Sequence, residues 1–246
     1  GRYTGLNPLH HMFPSDRSRV SPYQPSDRRY LDPIYISIAE LLSAHPLPKT
    51  AKLAEARRGA FAALEKLSAV DYAAHWRAKS ELLESAFAEW RGPVDSDDDL
   101  IRHGRFEAGR AGEKAKPDRI RYRALLEHIA RQQLAKAADS YMLFRDLALG
   151  CAFDGGEIAE DPDAFVDTMS LGAPPDPFAR NGQVWNLPAF SPLQLEARGL
   201  SPMRAILSAN MLHAAALRID HILGFARQFW VPRGAEGKDG AYVRFP

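Results

Sequence analysis

The sequence predicts an α/β chain in which short apolar strands frame a central helical block. Three observations carry that reading. Helical periodicity runs through much of residues 40–140, short apolar runs at 142–153 and 214–219 each end in acidic residues, and Pro/Gly-rich segments fill 5–33 and 172–188. A strand, a long connection and another strand, with acids at the strand ends, fits part of a β/α barrel, where chemistry sits at the C-terminal face.

Bulk properties narrow the function classes. The formal net charge is +1, which argues against a nucleic-acid or membrane-surface partner. One cysteine, Cys151, excludes an intramolecular disulfide framework and cannot alone build a thiolate metal site. No signal-peptide core or membrane-length apolar run is visible, so a cytoplasmic enzyme or binding protein is the expectation.

Residues 5–14 read as a strand end entering a loop, followed by the proline-stiffened run Ser21-Pro-Tyr-Gln-Pro-Ser26. Such a loop can hold Tyr23 as a rigid platform for an apolar sugar face, and surface punctuation explains it equally well. His10 and His11 lie near Asp16, but neighbouring side chains of an extended segment diverge, so no metal is expected.

A helix start is plausible over 34–42. Leu53, Ala56, Ala60, Leu64 and Leu67 make one core stripe, and Tyr72, Trp76, Leu83, Phe87 and Trp90 a second. Residues 91–119 break the pattern: Asp95, Asp97, Asp98 and Asp99 are followed by Arg102, Arg105, Arg110, Lys114, Lys116 and Arg119, which reads as a solvated connection. A further helix spans 120–138.

Residues 142–153 read as one buried strand containing an inert Cys151 and bringing Asp154 to its end. A long Pro/Gly loop over 172–188 carries Asp176, Phe178, Gln183 and Trp185, and loops of that length are usually functional. Ser201 is placed as the N-cap of a helix with Pro202 at its first position. That helix delivers the strand Ala214-Ala-Ala-Leu-Arg-Ile-Asp-His221. Alternate side chains share a strand face, so Arg218 and Asp220 point together, and a guanidinium keeps a neighbouring carboxylate ionised. On spacing alone, a structural ion pair is the better account of these two residues.

Several separated segments together change that balance. Gly-Leu-Asn-Pro-Leu-His (5–10), Ser-Pro-Tyr-Gln-Pro-Ser (21–26), Arg-Asp-Leu-Ala-Leu-Gly (145–150), Gly-Ala-Pro-Pro-Asp (172–176), Gly-Gln-Val-Trp-Asn-Leu-Pro (182–188), Ala-Asn-Met-Leu-His-Ala (209–214), Leu-Arg-Ile-Asp-His (217–221) and Gly-Ala-Tyr-Val (240–243) resemble the bacterial amylomaltases. These are the 4-α-glucanotransferases of glycoside hydrolase family seventy-seven. The resemblance covers both ends well and the helical block loosely. It implies an α/β fold, part of a TIM (β/α)8 barrel with a large inserted helical subdomain. Residues 1–39 would supply a barrel strand and active-site loop, 40–140 the insertion, and 141–246 further barrel strands.

The resemblance also implies roles. Asp220 matches the nucleophile, Arg218 its charge partner and His221 a donor to sugar hydroxyls. Asp154 matches a sugar-binding aspartate and Tyr23 a stacking tyrosine. Asp176, Phe178, Gln183 and Trp185 match an active-site loop along the glucan path. Malto-oligosaccharides and α-1,4-glucans would be the partners, with no cofactor and no metal. The chain departs from the family in ending before the segment that carries the acid/base glutamate, so as it stands it is expected to be inactive. Residues near 91–119 and 139–142 are shorter than the family's usual lines, and Asn186 stands where glycine is common. A non-catalytic glucan-binding fragment and an α-glucan hydrolase remain the alternatives.

Overall fold

The computed structural model describes residues 3–94, 97–114 and 116–245; Asp95 lies outside them. The chain divides into two units, one built from Gly1–His11, Ser21–Tyr30 and Tyr141–Pro246, the other from Met12–Val20 and Leu31–Ser140. Among the described residues no helix is long and apolar enough to cross a membrane.

The second unit is helical: α1 (Ile38–Ala44), α2 (Pro48–Leu64), α3 (Tyr72–Glu89), α4 (Asp98–Arg110) and α5 (Pro117–Ser140). Capping sets the starts. Ser37, Asp71 and Asp97 accept from main-chain amides in the first turns of α1, α3 and α4. Helix α2 has no side-chain cap of its own; Glu89 of α3 accepts from the Lys49 and Thr50 amides at 2.9 and 2.7 Å, satisfying two orphan donors. Asp32, fully buried, pairs with Arg17 through two 2.9 Å bonds and also accepts from the Met12 and Ile34 amides.

Two expectations for this block fail. Residues 98–110 are not a solvated connection but a helix with Leu100, His103, Gly104, Glu107 and Ala108 buried. Its charges hid it: Asp98 and Asp99 sit in the first turn and Arg110 in the last, where the helix dipole favours them. Gly104 supplies the close approach to α5, since a Cβ there would stand 2.9 Å from the Ile120 carbonyl oxygen. The stripe of α2 is also not a core face. Ala56, Ala60 and Leu67 are exposed, and the second stripe buries Leu83 and Trp90 while Tyr72 stays at the surface.

The first unit holds β1 (Tyr3–Gly5), β2 (His10–His11), β3 (Asp27–Leu31), β4 (Met142–Leu147), α6 (Gly156–Glu160), β5 (Phe165–Ala173), β6 (Gln183–Phe190), α7 (Pro192–Ala197), α8 (Ser201–Met211), β7 (Ala216–Ile219), β8 (Arg227–Pro232) and β9 (Ala241–Arg244). Strands β1, β4 and β7 form a parallel sheet in that order, β2 pairs with β3, and β6-β5-β8-β9 form an antiparallel sheet. Alternation along β4 sorts its side chains. Leu143, Arg145 and Leu147 are buried, with Arg145 bonded to the Ala209 and Leu212 carbonyls and to Asn210 Oδ1 on the α8 side. Met142, Phe144 and Asp146 share the opposite face, where Met142 and Phe144 are exposed. His10 is buried, and its Nε2 accepts the Ala148 amide at 3.1 Å.

The second half departs from the sequence reading in three places. Strand β4 stops at Leu147, so Cys151 and Asp154 follow it rather than lie in it or at its end; Cys151 is buried, and burial pushes its thiol up. The predicted loop over 172–188 is mostly a hairpin, with Gln183 and Trp185 on β6 and only 174–182 as its connection. Register shifts between Val166 and Ser170 and between Ser170 and Gly172 interrupt the two-residue alternation, which is why the pattern concealed strands. Leu200, with φ of 62°, takes the cap position before α8, and Ser201 is already helical.

Candidate active site

The site begins with register. Parallel pairing sets Asp146 of β4 opposite Arg218 of β7, so both side chains emerge on one face near the C-terminal ends of the strands. Arg218 Nη1 donates to both Asp146 oxygens at 3.0 Å, and its Nη2 donates to Asp220 Oδ2 at 2.9 Å. One guanidinium therefore bridges two carboxylates. The Tyr23 hydroxyl closes the other side, donating to Asp146 Oδ2 at 3.0 Å.

Asp220 is held from its own backbone as well. His221 adopts a left-handed conformation, φ 50° and ψ 47°, and its amide donates to Asp220 Oδ1 at 3.0 Å. A non-glycine residue in that region is strained, and such strain clusters at functional sites. The Asp220 carboxyl lies below the ordinary carboxylate range, first because of the His221 amide and then because of the imidazole and the Arg218 guanidinium. The Tyr23 phenol moves up because it donates to Asp146, so Tyr23 is a hydroxyl donor across the neutral range.

A cavity of about 490 Å³ opens beside this cluster, lined by Asp220, His221, Trp185, Leu149, Leu171, Leu223 and Tyr242 among others. Its volume suits a small-molecule ligand. The Trp185 ring lies against the His221 imidazole with centroids 4.8 Å apart and planes at 45°. Gln183 Oε1 accepts from Trp185 Nε1 at 3.0 Å and orients the indole. Among the described residues, Asp220 is the one carboxylate lining the cavity.

Of the residues singled out from sequence, Arg218, Asp220, His221 and Trp185 therefore converge, Gln183 supports Trp185, and Tyr23 joins through Asp146. Asp176 and Phe178 do not line the cavity. They sit in the hairpin connection, where Asp176 Oδ1 accepts from the Phe178 and Ala179 amides at 2.7 Å and the Phe178 ring is fully exposed. Asp154 is exposed in the turn after Phe153 and is not on the cavity wall. Asp146 is the residue the sequence reading missed. Its signal was alternation along 142–147, which puts the acid on the face opposite Leu143, Arg145 and Leu147.

Within an α/β fold, the parallel sheet thus carries a guanidinium-bridged carboxylate pair at its strand ends, beside an aromatic-lined cavity. The chain belongs to glycoside hydrolase family seventy-seven, the family described as 4-alpha-glucanotransferase, whose sequence profile matches residues 1–103 and 98–246. The two matched segments meet within α4. The 4-alpha-glucanotransferase of Haemophilus influenzae is 28% identical over 99% of this chain, and that of Mycobacterium tuberculosis 27% over 99%. The chain spans 43% and 40% of their lengths. The crystal structure of amylomaltase from Corynebacterium glutamicum matches all of this chain with a TM-score of 0.88 and 26% identity, using 39% of its own chain. Amylomaltase from Streptococcus agalactiae, in complex with acarbose, shares the fold at a TM-score of 0.73 and 18% identity, with 57% of its chain covered.

Proposed function

We propose that these residues carry the nucleophile side of a 4-α-glucanotransferase that moves α-1,4-glucan segments between malto-oligosaccharides through a covalent glycosyl-enzyme intermediate. The observation that carries the reading is the Asp146–Arg218–Asp220 bridge at the strand ends beside the cavity. An ionised, oriented carboxylate is what nucleophilic attack on an anomeric carbon requires.

In the first step an Asp220 oxygen bonds to the anomeric carbon as the bond to the leaving glucan oxygen breaks and that oxygen takes a proton from an acid. In a retaining enzyme that acid is a second carboxyl about 5–5.5 Å away. In the second step the same group, now a base, removes the proton from an acceptor sugar hydroxyl, which displaces Asp220. Asp146 is already engaged by Tyr23 and Arg218, so in this reading the acid/base is contributed by chain outside residues 1–246. Arg218 spreads the charge of Asp220, His221 and Asp154 donate to and accept from sugar hydroxyls, and Tyr23 and Trp185 supply aromatic walls. Asp176 and Phe178 shape the path from the hairpin tip. No cofactor or metal enters this chemistry, and a cytoplasmic setting goes with the reading.

The corresponding architecture is part of a TIM (β/α)8 barrel, with residues 1–39 and 141–246 contributing barrel strands and 40–140 an inserted helical subdomain. Two features support it. The face of the β1-β4-β7 sheet opposite Arg145 is apolar at one end, with exposed Tyr3, Met142 and Phe144, and charged at the other, with Asp146 and Arg218. A barrel interior closed by further strands covers such a face. Leu31–Ser140 also clusters as part of one helical unit.

The single-carboxylate cavity favours a second behaviour for residues 1–246 alone, namely glucan binding without turnover. Incubation with maltotriose separates the readings. The complete gene product should give glucose plus longer oligomers, and Asp220→Asn should abolish this by more than about 10⁴-fold with an unchanged fold. Residues 1–246 alone should only be retained on amylose. Reducing-end release without redistribution would identify a hydrolase instead.

A further inference from the structure

Contacts beside the cavity close into a ring, of which Asp220, His221 and Trp185 line the cavity itself. Tyr23 reaches Asp146, Asp146 meets Arg218, Arg218 meets Asp220, and the neighbouring His221 ring lies against Trp185. The residue after Trp185 is Asn186, whose main-chain oxygen accepts from Gln24 Nε2 at 2.8 Å, and Gln24 follows Tyr23. The last link ties the segment holding Tyr23 to the strand holding Trp185, and it uses no charge and no residue of the ion-paired cluster.

Local backbone explains why that oxygen is available. Asn186 has φ of 55° and falls in the register shift between the Ser170–Pro188 and Gly172–Val184 pairs. The Tyr23 segment is anchored on its other side, where Pro25 oxygen accepts the Ala152 amide at 2.8 Å and Ser26 Oγ accepts the Gly156 amide at 3.0 Å. Gln24 is the tether toward the hairpin.

We propose that Gln24 is a positioning residue: its side-chain amide latches the Tyr23 loop to β6 through the Asn186 carbonyl and so sets the gap between Tyr23 and Trp185 in which a glucan ring is gripped. This rests on the glucanotransferase reading. The latch acts on binding, because it holds the walls without touching Asp220. Releasing it loosens the grip while the nucleophile keeps both of its donors.

Gln24→Glu in the complete gene product tests this with maltotriose; it is isosteric but turns the donor into an oxygen facing the Asn186 carbonyl. Gln24→Glu should raise KM about three- to tenfold, the loss of one neutral hydrogen bond, while kcat stays within about twofold. Hydrogen exchange over 21–26 and 183–187 should be quicker than in the wild type, with the remaining amides unchanged. A wild-type enzyme that transfers glucan, together with a Gln24→Glu variant matching the wild type in KM and exchange, overturns the latch. A folded wild-type enzyme that transfers no glucan overturns the glucanotransferase reading and the latch with it.

Discussion

Asp146 and Arg218 stand opposite each other on adjacent parallel strands, and both oxygens of the aspartate lie 3.0 Å from one guanidinium nitrogen. Asp146 is nearly buried while Arg218 and Asp220 are half exposed. The inner carboxylate thus fixes the guanidinium, which in turn faces the outer carboxylate that lines the cavity.

Removing the inner charge should therefore damage the reaction without removing the nucleophile. In Asp146→Asn, Arg218 and Tyr23 both lose their ionised acceptor, and Asp220 loses a fixed partner. A shift of about 1 Å in a reacting group costs on the order of 10²-fold. Steady-state kinetics on maltotriose should show kcat down by about that factor, with far-UV circular dichroism unchanged.

The pH profile should separate the two donors to Asp220. Its carboxyl is depressed, so it remains ionised below the pH at which a free aspartate takes up its proton, and the acidic limb governed by the nucleophile is correspondingly low. Arg218→Gln should move that limb upward but only part of the way, because the His221 amide is the larger cause and persists. Measuring kcat/KM against pH for both enzymes checks this; a limb that does not move would show that Arg218 leaves the ionisation of Asp220 untouched.

His10 predicts an acid-sensitive fold. Burial, then the Arg28 and Arg145 guanidinia, lower its pKa from 6.5 to about 3, and its Nε2 is occupied by the Ala148 amide. The unfolded chain takes up a proton near 6.5 that the folded chain refuses until about pH 3. The stabilisation is therefore complete above 6.5 and declines as pH falls toward 3. Between about pH 7.5 and about pH 5, His10→Gln should lose about 2 kcal/mol less stability than wild type, read from urea titrations.

The helical unit should be sensitive at Asp32. Arg17 is 5% exposed and Asp32 fully buried, so Asp32→Ala leaves a buried guanidinium and two main-chain amides without their acceptor. Loss of one partner of a buried pair costs about 3–5 kcal/mol. Chemical denaturation followed by helical circular dichroism should register a loss of that size.

Local pattern sufficed for some of this protein and failed for the rest in identifiable places. Helix α5 could be read from residue types, because its pattern depends on neighbours within a few positions. Helix α4 could not. Its burial rests on Gly104 fitting against Ile120 and on charges placed at helix ends, and a count of charges cannot register either. The β5–β6 hairpin was hidden because its bulges break the alternation by which a strand is recognised.

The site divides in the same way. By itself, the sequence determined which residue types were present for carbohydrate chemistry and that a carboxylate follows an arginine two positions on; β7 itself ends at Ile219, so Asp220 lies just past the strand. Only the tertiary structure decided that Asp146, distant in the chain, is the group that holds that arginine, and that Asp154, Asp176 and Phe178 stand away from the cavity wall. The physical reason is register. Parallel pairing between β4 and β7 is a long-range hydrogen-bonding choice, and a slip of one residue would turn Asp146 to the covered face and leave Arg218 without its inner partner.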